Sequence, residues 1–422
     1  MNVTLKKTTD VDLRFTAPPS KSYTHRAVII ASLAEGKSGI HYPLVADDTR
    51  CTIAALRSSG IPIIEQPGML KVEGCAGRPP CGNGLVLDLD NSGTSYRLLA
   101  SYALLCGYPV VLTGSPRMQE RPVGPLVDGL NALGGDVTYL ARPGFPPIKV
   151  KGPLKGGTAS VDGRISSQFI SSILITAPYA ESPVDLRICG EPASRSYIDL
   201  TCDVIRAFGG RVEREGYSRF CVSLEDRYQG RSYPVEGDYS SASYFFAIAA
   251  VCGGRVRVDH LNPASLQGDR LFVSALETMG CKVSTNGTMI EVSGDGHPDG
   301  IEIDMSTAPD AVQTLCMVAA CARSPTRITG VSHLRYKESD RLAGTAALLQ
   351  GLGGSMQVTE DTIMIHPKRL HGGTIDPQND HRTAMSFAVL GLGIGDVTIQ
   401  QADCVNKSFP GFWEQLKGVG LL

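Results

Sequence analysis

Basic and hydroxyl side chains recur in this sequence at places where a helix should begin. "PPSKSYTHRA" (18–27) sets Lys21, Ser22 and Arg26 before the apolar run 27–34, which reads as a helix stopped by Gly36. "DNSGTSYR" offers Gly93, Thr94 and Arg97, and "GSPRMQERP" places Arg117 and Arg121 before a helix starting near Val123. "GRISSQF" offers Ser166, Ser167 and Gln168, "APD" opens a helix with Asp310, and "RYKESDR" supplies Lys337, Glu338 and Arg341. "NDHR" gives Asp380, His381 and Arg382, and "CVNKSFP" gives Lys407 at a helix start near the C-terminus. A helix N-terminus is already positive, so a cation there costs ~0.3–1 kcal/mol unless an anion binds between side chains and backbone N–H groups. Several cations meeting in one place repel by about a few kcal/mol per close pair, and a multiply charged anion removes that penalty. The pattern therefore predicts a site for phosphate and carboxylate groups. Taken singly, Ser22, Thr94, Ser166 and Asp310 also read as N-caps. Arg97 and Arg341 could pair with Asp88 or Asp340 on a solvated surface, and Lys407 alone could face solvent.

Other chemistries lack their residues. There is no G-x-x-x-x-G-K-[ST], no G-x-G-x-x-G opening a strand–helix unit and no G-x-S-x-G elbow. The eight histidines show no H-x-x-x-H or H-E-x-x-H spacing, so no metal site is expected. The twelve cysteines form no C-x-x-C and scatter along the chain, which suits free thiols in a reducing cytoplasm. What remains is proton transfer by carboxylates and lysines with electrostatic stabilisation by cations, on a substrate that brings its own leaving group. No cofactor is expected.

The elements that must hold these residues show a period. Stretches of the form apolar-x-x-x-Gly recur at Gly60, Gly134, Gly209, Gly280, Gly353 and Gly420, each read as a helix ending on a left-handed glycine and leading to a strand. Between them lie helices apolar all round at 94–106, 167–177, 241–251, 310–322 and 382–392, as expected of helices buried inside a domain. Strands such as "PVVLTG", "PIKVKG", "GRVRVDHL" and "DVTIQQ" alternate with period two. The fold class is α/β in α+β repeats, six units grouped three and three. A chain of 422 residues suits two domains, and a Gly/Pro/Ser-rich break at 232–243 marks a hinge, with a second crossing at Pro18–Pro19. The expected domains are 1–18 plus 236–422, discontinuous, and 19–235, inserted, with the site in the cleft between them. Net charge is −2, which shows no footprint for nucleic acid, and no apolar run is long enough for a membrane helix.

These strings, in order and spacing from residue 18 to the C-terminus, resemble the 5-enolpyruvylshikimate-3-phosphate synthase family. "PPSKSYTHRA" is similar to its P-x-S-K-S-x-x-x-R-A, "NSGTSYR" to N-A-G-T-x-x-R, and "GSPRMQERP" to G-x-x-R-M-x-x-R-P. "ISSQF", "KESDR" and "DHRTAM" match further elements of its pattern. The resemblance implies two inside-out α/β-barrel-like domains, each of three βαβαββ-type units, joined by a two-crossing hinge. It implies transfer of the enolpyruvyl group of phosphoenolpyruvate to the 5-hydroxyl of shikimate 3-phosphate, with release of phosphate through a tetrahedral adduct, in aromatic amino-acid biosynthesis. Carried over, Asp310 is the base, Glu338 the acid and Lys21 an assistant. Lys21, Ser22, Arg26, Ser166, Ser167, Gln168, Ser194, Tyr197, Asp310, His333 and Lys337 would bind shikimate 3-phosphate. Lys21, Gly93, Thr94, Arg121, Gln168, Arg341, Arg382 and Lys407 would bind phosphoenolpyruvate. The partners are these two small molecules, with no nucleic acid and no membrane, in a cytoplasmic monomer.

The chain departs from the family pattern at four places. His333 and His25 stand where many members have Asn, Ser92 where many have Ala, and Leu98 where many have Pro; His25 and Ser92 are expected at the rim of the site. Leu98 changes the prop of the loop bearing Gly93 and Thr94, which bears on response to the herbicide glyphosate. Two alternatives stay open beside this reading. The enolpyruvyl transferase acting on UDP-N-acetylglucosamine shares fold and donor, but its family carries a mobile-loop Cys that "GSPRMQERP" lacks. A non-catalytic anion-binding protein would keep the cations and need neither Asp310 nor Glu338.

Overall fold

The computed structural model describes residues 1–422. The chain forms two compact units, an inserted one at Pro19–Val235 and a split one made of Met1–Pro18 with Glu236–Leu422. In the inserted unit the helices Lys21–Leu33, Gly93–Tyr102 and Ser167–Thr176 are buried almost throughout. Tyr239–Cys252, Val312–Ala320 and His381–Ile394 hold the same position in the split unit. Every residue of Tyr239–Cys252 is buried, which is why its sequence shows no polar face.

Sheets cover these helices, three in each unit. Five are four-stranded and share one plan, a parallel pair followed by an antiparallel hairpin. Val86–Asp88 lies parallel to Val110–Thr113, which is antiparallel to Ile148–Lys151, which pairs in turn with Asp136–Tyr139. In strands such as Ile148–Lys151 buried and exposed residues alternate, which gives the period-two pattern. Strand pairings tie the ends of each unit, one in the inserted unit and two in the split one. Ser232–Pro234 lies parallel to Lys37–His41 in the inserted unit. In the split unit Val11–Thr16 lies parallel to Gly254–Asp259, with Val11 opposite Gly254, and Val3–Leu5 pairs with Val397–Ile399.

All six glycines of the repeat have positive φ, between 80° and 95°. An L side chain rarely adopts that conformation, so glycine is the residue that lets each helix stop there. Five of them lead into a strand; Gly420 leads only to Leu421 and Leu422, the end of the chain.

Three sequence expectations give way. Asp310 is not an N-cap: it lies in the 3-10 turn Pro309–Ala311, and the helix begins afterwards at Val312. Lys407 does not start a helix but ends the 3-10 turn Ala402–Lys407, the last helix being Phe412–Gly418. Cys81 and Cys106 form a disulfide with Cα atoms 5.7 Å apart, leaving ten free thiols. The loop before Val86–Asp88 packs back on the end of the turn Ala103–Leu105, which joins two cysteines whose spacing in the chain carries no signal. No helix is long and apolar enough to cross a membrane.

Candidate active site

Each unit gathers its own share of the predicted site residues at the N-terminal ends of its inner helices. In the inserted unit Lys21 is the first residue of its helix and sets its ammonium 3.0 Å from the buried carboxylate of Asp48. Arg26, one turn further, is buried with no carboxylate against it. Its Nε donates to Thr201 Oγ1 at 2.7 Å, and its Nη atoms donate to the carbonyls of Ser22 and Tyr197 and to Ser171 Oγ. Desolvation brings its pKa down to about 10, only weakly opposed by the polar groups around it. A buried cation met only by hydroxyls and carbonyls holds the backbone of Ser22 and Tyr197 in place and leaves positive potential at that helix end.

The second and third helices share a polar junction. Gln168 donates from Nε2 to Thr94 Oγ1 and accepts from Arg97 Nη1, both at 3.0 Å. Ser166 caps its helix by accepting from the Gln168 amide, and Ser167 follows it, buried. Gly93 opens its helix against the Arg121 guanidinium: a Cβ there would lie 2.5 Å from Arg121 Nη2. The loop therefore needs glycine for Arg121 to sit where it does, and Arg121 Nη1 donates back to the Asn91 carbonyl at 3.3 Å. Ser194 takes φ 56°, sparsely populated for a residue with a side chain, and its neighbour Tyr197 lies under the Arg26 guanidinium. His25 and Ser92, expected at a rim, are instead buried. They end a line of hydroxyl contacts in which His25 Nδ1 meets Thr52, Thr52 meets Ser95 and Ser95 meets Ser92, each at 2.7–2.8 Å.

The split unit holds a tighter arrangement. Arg341, fully buried, donates to three carboxylates: from Nη1 to Asp310 Oδ1 at 3.0 Å, from Nη2 to Glu338 Oε2 at 2.8 Å and from Nε to Asp380 Oδ2 at 2.9 Å. Arg382 Nη2 donates to the other Asp310 oxygen at 2.7 Å, and its Nη1 to the Tyr244 hydroxyl at 3.1 Å. Asp310 is thus clamped by two arginines, one on each oxygen. Burial works against the charge of Arg341, but Asp380, Glu338 and Asp310 outweigh it and raise its pKa. Burial likewise opposes ionisation of Asp380, and Arg341 reverses the balance and holds it below the usual carboxylate range. Asp380 also caps its helix through the Arg382 amide and accepts from Ser339 Oγ. His333 is buried, and desolvation together with the charge of Lys337 lowers its pKa to about 3, so it is neutral. Lys337 ends the 3-10 turn that carries His333. Lys407 stands on a turn that packs against the helix His381–Ile394.

Several supporting groups were not among the predicted site residues: Asp48 under Lys21, Thr201 and Ser171 under Arg26, and Tyr244 against Arg382. Only Asp48, in an acidic pair opening a helix, carried a sequence signal. Arg97 and Arg341 took Gln168 and Asp380 as partners, where the sequence offered Asp88 and Asp340.

Fold and geometry together define a class, a two-unit repeat protein whose inner helices carry cations and clamped carboxylates at their starts, as the handling of small polyanions requires. The family described as EPSP synthase (3-phosphoshikimate 1-carboxyvinyltransferase) matches residues 5–416. The 3-phosphoshikimate 1-carboxyvinyltransferase of Methanoregula boonei is 59% identical over 419 residues, covering 99% of this chain and all of that protein. That of Serratia proteamaculans is 39% identical over 425 residues, covering all of this chain and 99% of that one. The structure of EPSP synthase from Acinetobacter baumannii superposes with a TM-score of 0.82 at 29% identity, covering 100% of this chain and 98% of that one. The chain belongs to the EPSP synthase family, and as a member of it is a transferase.

Proposed function

We propose that this chain transfers the enolpyruvyl group of phosphoenolpyruvate to the 5-hydroxyl of shikimate 3-phosphate, and that the residues above do so in the following roles. The inserted unit binds shikimate 3-phosphate through Ser22, Ser166, Ser167, Gln168 and Ser194, with Tyr197 against its ring and Arg26 beneath. Lys21, Gly93, Thr94, Gln168 and Arg121 with Arg341, Arg382 and Lys407 hold the phosphate and carboxylate of phosphoenolpyruvate. His333 and Lys337 add donors to shikimate 3-phosphate.

Asp310 takes the proton of the attacking hydroxyl as its oxygen bonds to C2 of phosphoenolpyruvate, while Glu338 delivers a proton to C3, which becomes a methyl group. The tetrahedral adduct then loses a proton from that methyl and expels phosphate, with Lys21 neutralising the leaving charge. The observation that carries the assignment is the pair of arginines on Asp310 and the sharing of Arg341 between Asp310 and Glu338. Arg341 favours the ionised form of Glu338, which is the wrong state for an acid. An arriving carboxylate that draws Arg341 to itself removes that preference and lets Glu338 hold a proton. The same step frees one oxygen of Asp310 to accept one. Substrate binding thereby prepares acid and base together.

Phosphate release with both substrates tests this directly. Wild type should turn over only with both present, and D310A and E338A should lose most turnover while binding of shikimate 3-phosphate largely survives. Wild-type turnover in both variants would refute the acid and base assignment. Turnover with UDP-N-acetylglucosamine instead would move the chain to the other enolpyruvyl reaction.

A further inference from the structure

The split unit buries one more carboxyl that the chemistry above leaves unused. Asp269 lies in the 3-10 turn Gly268–Arg270 and is 3% exposed. That turn packs against Pro309–Ala311, which carries Asp310, and both turns pack against the helix Tyr239–Cys252. Ser240, in the first turn of that helix, donates its hydroxyl to Asp269 Oδ2. Charged and polar groups that act on Asp269 include Ser240 in this helix, Asp238 at its N-cap, Asp310 on the adjoining turn and Arg382 from the helix His381–Ile394. Arg270, next in the chain, donates instead to the Pro263 carbonyl.

We propose that Asp269 is a positioning residue for Asp310: the proton it holds or releases sets the basicity of Asp310, which lies on the turn packed against its own. The inference rests on the reading of Asp310 as the base. With Asp269 protonated, no negative charge reaches Asp310 from the adjoining turn, and Asp310, held by Arg341 and Arg382, is a weak base. With Asp269 ionised, a second negative charge stands on that turn, and Asp310 binds a proton more readily. Burial first, and then the charge of Asp310, bring Asp269 up to about 7, against Arg382 and the Ser240 hydroxyl. The change of state therefore falls near neutral pH, and activity should rise as Asp269 loses its proton.

The test compares kcat/KM for phosphate release between pH 5.5 and 8.5 in wild type, D269N and S240A. Asn stays neutral at every pH and keeps an oxygen for the Ser240 hydroxyl. Ionisation of the substrates' own phosphates is common to all three proteins and cancels in the ratios. The wild-type to D269N ratio should rise by about threefold to tenfold from pH 6 to pH 8, the effect of a one- to two-unit change in the basicity of a general base. S240A removes a hydrogen bond that favours ionised Asp269, so the inflection should move to higher pH. A purely structural role would lower the rate by the same factor at every pH. A flat ratio for D269N, or an inflection that S240A leaves in place, overturns the proposal, and S240A decides it alone should D269N fail to fold. D310N is assayed alongside. If it keeps wild-type turnover, the base assignment itself falls; if it is inactive while the D269N ratio is flat, only the role of Asp269 falls.

Discussion

Arg341→Met strips the cation from three carboxylates at once, and its cost can be worked out from their surroundings. Asp380 is the most buried, at 0% exposure, and keeps hydrogen bonds from the Ser339 hydroxyl and the Arg382 amide, with His381 Nδ1 at 3.8 Å, once Arg341 is gone. Breaking a buried pair by removing one partner costs about 3–5 kcal/mol. The two remaining hydrogen bonds put Asp380 at the lower end of that range. Asp310 keeps Arg382, and both it and Glu338 retain some access to water, so these two add less than Asp380 does. The expected loss is about 3–4 kcal/mol at pH 7. The pH dependence has a definite sign. In wild type Asp380 titrates below its unfolded value near 3.9, so its contribution is present above that pH and lost as pH falls through the lower folded value. In the variant burial outweighs the hydrogen bonds that remain and raises the folded value, so the variant regains stability as pH falls toward 4. Urea unfolding followed by circular dichroism at pH 7 and pH 4.5 should show the gap between the two proteins shrink by more than ~1 kcal/mol. On a D380N background the same change should cost about 2 kcal/mol less. A loss under ~1 kcal/mol at pH 7, or a gap equal at both pH values, would refute the reasoning.

Further outcomes follow from other parts of the two units. D310A and E338A should each lower kcat by about 10²–10⁴, the range of general acid–base catalysis, with little change in shikimate 3-phosphate affinity by calorimetry. G93A should raise the KM for phosphoenolpyruvate several-fold, because its Cβ displaces the Arg121 guanidinium; an unchanged KM would mean that Arg121 does not hold this substrate. His333 has a folded pKa depressed to about 3, so wild type loses stability as pH falls below the unfolded value near 6.5. H333N should lack this loss, by about 3 kcal/mol at pH 4, and identical pH profiles of the two proteins in unfolding experiments would show His333 to be ionisable in place.

The parts of the fold legible in the sequence are those set by short-range rules. The six cap glycines could be read because a helix followed at once by a strand needs a left-handed residue, and the inner helices because apolar residues lie on every side of them. Residue types at the helix starts were equally plain, since cations there contradict the helix dipole. Pairings were not legible. Arg97 meets Gln168 across 71 residues and Arg341 meets Asp380 across 39, and local sequence offers nearer acids to both. Asp310 read as a helix cap because Pro-Asp before an apolar run favours one; the two arginines hold its carboxylate outside the helix instead. The Cys81–Cys106 link and the buried hydroxyl line from His25 to Ser92 depend on how separate segments fold back, which no spacing encodes.

The strand Val11–Thr16 finds its neighbour, Gly254–Asp259, 243 residues later. At the pace of a ribosome, about 5–20 residues per second, that partner emerges roughly 10–50 s after the strand has left the tunnel. By then all of Pro19–Val235 has been made and can fold by itself around its own three helices. Synthesis thus runs in nested order: the middle of the polypeptide closes first, and its opening segment waits, edge unpaired, to be claimed by the half made last.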